Sequence, residues 1–490
     1  MTPARAFRTT SVVSVLLLLC GGLSAAPQAG EAAEHTEAQE ETLPPAVTEA
    51  QEDPIGEEIT PREESGTVAG DAARLPQEAQ PSFDGFVNFR TLSRWAEDAG
   101  DHDQDLYGVL GMNFSTGGDR PWAGHLLVQG AWGIDSQPAD SVFYGVLDSY
   151  DDAVDLRLYR AYVDVPTPDA VALAQIGRMA IYDTPETAYF DGARIETTPV
   201  GETRFIVGAY GGQSVHLFEG WPSDEWIGGL YTRLRPWVHG LLRVDWMHFN
   251  DDLRFGDGNN DLVSANVTHR LGENVRLDGR YTLLDGDGND MRLKGLWLWP
   301  EKDLTVRVTF YRLLDAQQNL AFELNPFFNI LNTYYPYEQT QVVVSKGFGE
   351  TVELYGGWNS RRVSNEDNIG RYNREFDRYY LNAVFPDLLP HHTTWSVTGE
   401  VWDSPDNDVQ TWGQDFTTVW GDQVKTSFGT YYSLYKYLFD VNDERDNVRT
   451  YYAEVRKKVS KALDLKARYE YEDESLDSFH SIRLGVTWRF

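Results

Sequence analysis

The sequence predicts an all-β chain that crosses a membrane as one closed antiparallel barrel of about 22 strands, with about 18 to 22 as the range. Three observations support this fold. Strands of about ten residues alternate between apolar and polar positions, as barrel walls do. Their connections alternate between short and long, and the last strand is amphipathic up to the terminal Phe490.

The alternation has a period of two, which is typical of strands with two different faces. In residues 274–283, Leu277 and Tyr281 alternate with Arg276, Asp278 and Arg280, and residues 463–472 and 481–490 repeat the pattern. One face of each strand therefore suits lipid and the other suits water.

Residues 154–165 are less regular, because Leu156 and Leu158 share a face there with Arg160 and Asp164. A β-bulge that exchanges the two faces midway, or a wrong strand boundary, would account for this.

The connections fall into two classes. The short ones contain or adjoin Pro or Gly and lie at residues 166–168, 199–201, 235–237, 271–273, 300–302 and 347–349. The longer ones are mostly rich in Asp, Asn and Gly and lie at residues 96–104, 135–152, 251–260, 315–337, 363–375, 404–410 and 438–447. Short periplasmic turns that alternate with longer outside loops are typical of transmembrane barrels. This assignment places both termini in the periplasm.

The first 26 residues have the pattern of a cleavable signal peptide, with Arg5 and Arg8 before the apolar residues 12–19. Cys20 raises a lipoprotein alternative, which Leu19 before it disfavours. If the signal is removed, the mature chain has no cysteine, which excludes disulfides and thiolate metal sites. Residues 27–80 are strongly acidic and contain no aromatic residue, so we expect a disordered periplasmic tether that could dock a partner. The barrel is expected over residues 81–490.

Composition agrees with this division. Aromatic residues make up 13% of the chain, with 15 Trp and 26 Tyr, and these types collect at membrane interfaces. After the signal, no apolar stretch approaches the ~20 residues that a membrane helix needs. The net charge of −34 argues against binding to nucleic acid.

The C-terminal strand carries the most specific pattern, an apolar residue at every second position: Ile482, Leu484, Val486, Trp488 and Phe490. It resembles the terminal recognition strand of bacterial outer-membrane proteins. That resemblance implies recognition by the barrel-assembly machinery, a place in the outer membrane, and contact with its lipid and lipopolysaccharide.

A second motif lies in a predicted hairpin. Gly177-Arg178-Met179, followed by Asp191-Gly192, is similar to the "GRQ … DG" hairpin of the porin superfamily that includes the alginate-export proteins, although Met179 replaces the usual Gln. The resemblance implies that Arg178, Asp191 and Arg194 are lumen or rim charges. Alternatively, Arg178 and Asp191 pair with each other inside the wall.

The water-facing positions of the other strands supply further pore-lining candidates. These are Arg243, Asp245, Arg276, Asp278, Arg280, Arg307, Lys466, Arg468, Glu470 and Arg483, and also Arg292 and Lys294. Both signs of charge occur, which favours a hydrated, weakly selective passage, and any single charge could instead neutralise a cross-strand neighbour.

No catalytic motif is present, so we expect no enzyme and no cofactor. Residues 257–261 and 285–290 resemble calcium loops, but Leu296 occupies the position where an EF-hand has Glu, so we expect turns and no metal. The sequence therefore predicts a porin-like channel for diffusion or export of small polar solutes or polysaccharide. The alternatives are a barrel that sheathes a partner such as a multihaem cytochrome and, with least support, a barrel enzyme. Residues 315–337 could fold inward as a constriction.

Overall fold

The 22 strands form one sheet that closes on itself. Each strand pairs antiparallel with its neighbours in the chain, and β22 pairs back with β1, from Phe86 opposite Arg489 to Ala96 opposite Phe479. The computed structural model describes residues 80–97, 99–135, 154–215, 225–253, 256–315, 335–365, 375–404, 408–421, 423–433, 448–473 and 478–490. The barrel predicted from the sequence is confirmed, whereas the predicted signal peptide and almost all of the tether lie outside the described residues.

The first eleven strands are β1 (Ser82–Ala96), β2 (His102–Ser115), β3 (Ala123–Gly133), β4 (Val154–Asp164), β5 (Val171–Ile181), β6 (Ala188–Thr197), β7 (Ile206–Ser214), β8 (Trp226–Leu234), β9 (Gly240–Leu253), β10 (Gly256–Leu271) and β11 (Val275–Leu284). The others are β12 (Asp287–Trp299), β13 (Leu304–Leu313), β14 (Tyr337–Phe348), β15 (Val352–Val363), β16 (Phe376–Leu389), β17 (Thr393–Asp403), β18 (Asp408–Trp420), β19 (Val424–Ser433), β20 (Val448–Lys458), β21 (Leu463–Asp473) and β22 (Ser478–Arg489). A single-turn 3₁₀ helix, Pro300–Lys302, joins β12 to β13. Among the described residues, no helix has the length and apolarity to cross a membrane.

The two faces of the wall have different chemistry. One face exposes apolar side chains, among them Phe89, Leu277, Leu293, Phe428 and Trp488. The register keeps polar residues in step on the opposite face, as in the row Arg243, Asn266, Arg280 and Arg292 across β9–β12. Because neighbouring residues of a strand point to opposite faces, we assign the apolar face to the outside and the polar face to the lumen.

The irregularity of residues 154–165 is a β-bulge in β4. The register with β3 shifts where Leu127 opposes Arg160 and Val128 opposes Leu158, so Tyr159 is the extra residue. Leu156 lies on the outer face, 74% exposed, whereas Arg160 follows the bulge and shares the inner face with Tyr162. The first of the two explanations offered by the sequence is thus confirmed.

Aromatic side chains lie at both ends of the barrel. At the end with the short turns, Trp237 Nε1–H donates to His269 Nδ1 at 3.1 Å. At the other end, the rings of Trp95 and His480 stack with centroids 4.9 Å apart. Two aromatic belts are typical of barrels whose ends lie at the two membrane interfaces.

Candidate pore-lining site

Most of the predicted pore-lining residues lie on the inner face of the wall. The register places there Arg194, Arg243, Asp245, Arg276, Asp278, Arg280, Arg307, Lys466, Arg468, Glu470 and Arg483. Of the predicted assembly signal, Ile482, Leu484, Val486 and Trp488 lie on the outer face, and the Phe490 ring stacks on Phe83 with centroids 5.6 Å apart. That the inner-face charges line a conducting pore remains a prediction.

Arg178 and Asp191 lie elsewhere. They form a bidentate ion pair in which Arg178 Nε and Nη2 donate to the two Asp191 oxygens at 2.7 and 2.6 Å. Their chain neighbours Met179 and Phe190 oppose each other in the buried inner cluster, so the ion pair faces the other way. The two residues therefore belong to the wall and not to the lumen, which is the second of the two roles that the sequence left open.

This ion pair borders the seam between β4 and β5, the region where these two strands separate. They pair over only four residues, Ala161–Asp164 with Gln175–Arg178, whereas each pairs with its other neighbour over ten. Gly177 has a φ of +129°, and a Cβ there would lie 2.2 Å from the carbonyl oxygen of Ala161, so only glycine fits. The strand ladder therefore ends at Arg178, directly after the motif glycine.

Side chains bond the main chain of β4 where strand pairing stops. The Tyr189 hydroxyl lies 3.0 Å from the Leu158 carbonyl oxygen and 2.7 Å from that of Tyr159. Arg178 Nη1 also donates to the Leu158 carbonyl, at 3.2 Å. Main-chain groups within a membrane must be satisfied by the protein itself, so these contacts stabilise the seam.

We expect Tyr189→Phe to lower the free energy of unfolding by about 1–2 kcal/mol, because it removes the hydroxyl that bonds to the β4 carbonyls of Leu158 and Tyr159. Reversible urea unfolding in phospholipid vesicles would measure the change. Tyr281→Phe removes a hydroxyl from an exposed outer-face ring and should have little effect. Equal losses from the two variants would contradict a special role for Tyr189.

The connection between β5 and β6, residues 182–187, folds into the lumen and is called here the inner loop. Asp183 forms an ion pair with Arg243 of β9, and the Pro185 carbonyl accepts a hydrogen bond from Arg280 Nη1 of β11 at 3.0 Å. The Thr184 hydroxyl donates to the Ile181 carbonyl at 3.1 Å. The inner loop is therefore attached to strands several places farther along the wall.

An apolar cluster lies on the same part of the inner face. Its members are Met179, Ile181, Ala188, Phe190, Tyr210, Ile227, Tyr231, Met247, Phe249, Leu262 and Leu284. Apolar residues at inner positions of β5 and β6 are the sequence signal that could have indicated a covered lumen wall here. The sequence instead suggested residues 315–337 as an inward constriction, and most of that segment lies outside the described residues.

Arg243 connects the inner loop to the wall. Its Nε and Nη2 donate to Asp245 at 2.9 and 2.7 Å, its Nη1 bonds to Asp183, and its guanidinium lies 4.5 Å from the centroid of the Tyr231 ring. The buried Asp245 carboxylate is thereby neutralised.

A recess of about 190 Å³ opens on the inner face of β10–β12, lined by Asn266, Arg276, Asp278, Gly279, Arg280, Arg292 and Lys294. Arg276 pairs with Asp278 at 2.9 Å, and Arg280 pairs with Asp290 at 3.0 Å.

The remaining cations of this wall have no such partner. Within the described part of the chain, Arg292, Lys294 and the neighbouring Arg307 form no hydrogen bond and no ion pair. Arg307 lies diagonally from Lys294 on β13, a spacing of about 7–8 Å. This stretch of the lumen wall therefore carries excess positive charge, and we call these three residues the basic triad.

The charges of β20–β22 are paired instead. Arg468 Nη2 contacts Glu470 at 2.6 Å, Arg483 contacts the same carboxylate at 3.1 Å, and Lys466 contacts Glu454 at 3.4 Å. Both carboxylates are buried. The sequence alone does not distinguish paired from unpaired inner charges, because only the strand register shows which of them have partners of opposite charge.

The predicted absence of metal sites rests on the sequence. Among the described residues, no group of three or more His, Cys, Asp or Glu could hold an ion. In the loop at 285–290, Asp285 accepts a hydrogen bond from the Asp261 main-chain N–H at 2.8 Å, as a turn residue does.

No protein-family model and no curated protein matches the sequence. Among solved structures, the chain is similar to the translocation pore of the P pilus usher PapC, with a TM-score of 0.45 and 10% identity over 83% of this chain and 99% of that one. It is also similar to OpdK of Pseudomonas aeruginosa with vanillate, with a TM-score of 0.40 and 10% identity over 83% of this chain and 98% of that one. A BenF-like porin of Pseudomonas fluorescens Pf-5 gives a TM-score of 0.39 and 8% identity over 84% of this chain and 98% of that one. At these identities and TM-scores the similarities add nothing to the closed barrel described above.

Proposed function

We propose that the chain is an outer-membrane, porin-like channel through which small polar solutes diffuse, with a preference for anions. The observation that carries this proposal is the basic triad, three cations on the inner face that form no hydrogen bond and no ion pair among the described residues, although Asp278 lies opposite Lys294. Because these cations are not engaged in ion pairs, they can attract a passing anion more strongly than the paired cations of the wall can.

The net charge of −34 does not oppose this preference. At physiological salt the screening length is about 8 Å, so acidic residues farther from the triad contribute little. In water, one unit charge at about 4 Å contributes about 1 kcal/mol, which corresponds to about a fivefold preference. The local charges of the lumen therefore decide which ions pass.

Neutralising the triad with Arg292→Gln, Lys294→Gln and Arg307→Gln should lower the chloride-to-potassium permeability ratio by about three- to tenfold. Reversal potentials across a planar bilayer with a salt gradient would measure this. The matched control is Lys457→Gln, Lys458→Gln and Lys461→Gln, which removes the same charge from exposed residues at the turn end of the barrel.

A cation-selective wild type, or equal ratios for the two triple variants, would contradict the proposed anion preference. A barrel that conducts no ions and copurifies with a haem protein would instead favour the sheath around a multihaem cytochrome. Saturation by an anionic polysaccharide and not by small anions would favour export of a polymer.

A further inference from the structure

We infer that Glu186 of the inner loop is a built-in competitor for the anion site, so that its carboxylate tunes the affinity of the lumen for anionic solutes. This inference rests on the channel function proposed above. It concerns a residue that no sequence motif singled out.

The inner loop fixes Glu186 beside the recess. In the residues just before it, Asp183 bonds to Arg243 and the Pro185 carbonyl accepts a hydrogen bond from Arg280. Glu186 itself interacts electrostatically with Arg280 of β11 and with Asp290 and Arg292 of β12. Its carboxylate therefore acts on the same cations that line the recess.

The Glu186 side chain has no short-range partner among the described residues. Within the described residues, its half-buried carboxylate forms no hydrogen bond and no ion pair. The charged and titratable groups that face it are Arg280, Asp290, Arg292 and Tyr311, and those that face the adjoining Asp183 are Arg243 and Asp245. An ionised Glu186 thus lowers the positive potential at the recess without forming an ion pair with any of its cations.

The protonation of Glu186 changes in an accessible range. The pKa of its carboxyl is raised to about 7, chiefly by burial; Arg280 and Arg292 oppose the rise and Asp290 adds to it. Because this pKa is raised above the ordinary value, the docked inner loop is stabilised at low pH and loses that contribution as the pH rises through about 7. Below this pH Glu186 is neutral, and the cations that line the recess are available to an anionic solute. Above this pH the Glu186 carboxylate competes with the solute for these cations.

The experiment measures the sulfate concentration that half-saturates the conductance of the full chain in a planar bilayer. Sulfate keeps its charge between about pH 5.5 and pH 8.5, so a change in affinity reports on the protein. For the wild type we expect the half-saturating concentration to rise about fivefold over this range, the effect of one unit charge nearby. Glu186→Gln should give a low value at both pH values.

Two further variants separate charge from loop structure. Glu186→Asp keeps the carboxylate and should retain the pH dependence. Glu353→Gln removes one acid from the inner face of β15, away from the inner loop, and should follow the wild type. If Glu186→Gln keeps the wild-type pH dependence while the channel remains anion-selective, the inference fails and the proposed function stands. If the wild type prefers cations, the proposed function fails first.

Discussion

Arg243→Met is expected to lower the free energy of unfolding by about 3–5 kcal/mol, which is the typical cost of breaking a buried ion pair on one side. Asp245 is only 3% exposed and accepts two of the hydrogen bonds that Arg243 donates. The variant would leave a buried negative charge without compensation. It would also release Asp183 and leave the inner loop attached to β11 through the Pro185 carbonyl and Arg280, so single-channel conductance should rise.

Urea unfolding in vesicles, together with single-channel recording, would check both effects. Arg276→Met is the matched control, because its ion pair with Asp278 is far more exposed, at 43% and 23% of the two side chains, and exposed pairs contribute about 1 kcal/mol or less. Adding Asp245→Asn to Arg243→Met should recover part of the lost stability, since it removes the buried charge. If Arg243→Met costs no more than Arg276→Met, Arg243 is not the link between wall and inner loop.

The barrel itself could be predicted because each of its strands encodes two faces locally. In β11, for example, Leu277 and Arg280 identify the lipid-facing and the water-facing side of the strand without reference to any other strand. The alternation also indicated an irregularity in residues 154–165, since Arg160 on a lipid-facing row conflicts with Leu156, but it left a β-bulge and a wrong strand boundary both open. Local sequence therefore determines the two faces of each strand and limits the strand number to a range of about 18 to 22.

The candidate site could be predicted only in part, because its properties depend on partners distant in sequence. Whether Lys294 or Lys466 has a carboxylate partner depends on which strands lie side by side and in which register. For Arg178 the sequence leaves two roles open, a lumen or rim charge by resemblance and a wall ion pair, and only its contacts with Asp191 and the Leu158 carbonyl favour the second. Glu186 gave no signal, because nothing in the sequence around it shows that the inner loop turns inward.

The inner loop and the apolar cluster make the lumen asymmetric. A barrel of 22 strands is wide enough to hold a water-filled channel. The part of the wall around β5–β11 is covered by packed side chains, whereas the β20–β22 part carries an ion-paired network. The basic triad lies directly beyond the covered part, on β12 and β13. On the proposed channel function the triad borders the path of the solute, so its charge and that of Glu186 should have measurable effects.

Phe490→Ala combined with Trp488→Ala is expected to reduce the amount of barrel in the outer membrane by about tenfold or more. We propose that the assembly machinery binds these terminal aromatic side chains, and burying one such side chain in a pocket contributes about 1.5–3 kcal/mol. In the folded barrel the Phe490 main chain already pairs with Gly85 through two hydrogen bonds of 3.0 Å, and its ring is 37% exposed. The side chains are thus available for recognition while the main chain closes the sheet.

Quantitative immunoblots of outer-membrane fractions would measure assembly, and refolding of purified chain into vesicles without the machinery would separate recognition from stability. Refolding should change little, because the terminal hydrogen bonds come from the main chain and survive both substitutions. Phe348→Ala is the matched control, an exposed aromatic at the same end of the barrel but on β14. Loss of refolding in vesicles as severe as the loss of assembly in cells would show that the terminal rings stabilise the barrel itself, and the proposed recognition would then have no support.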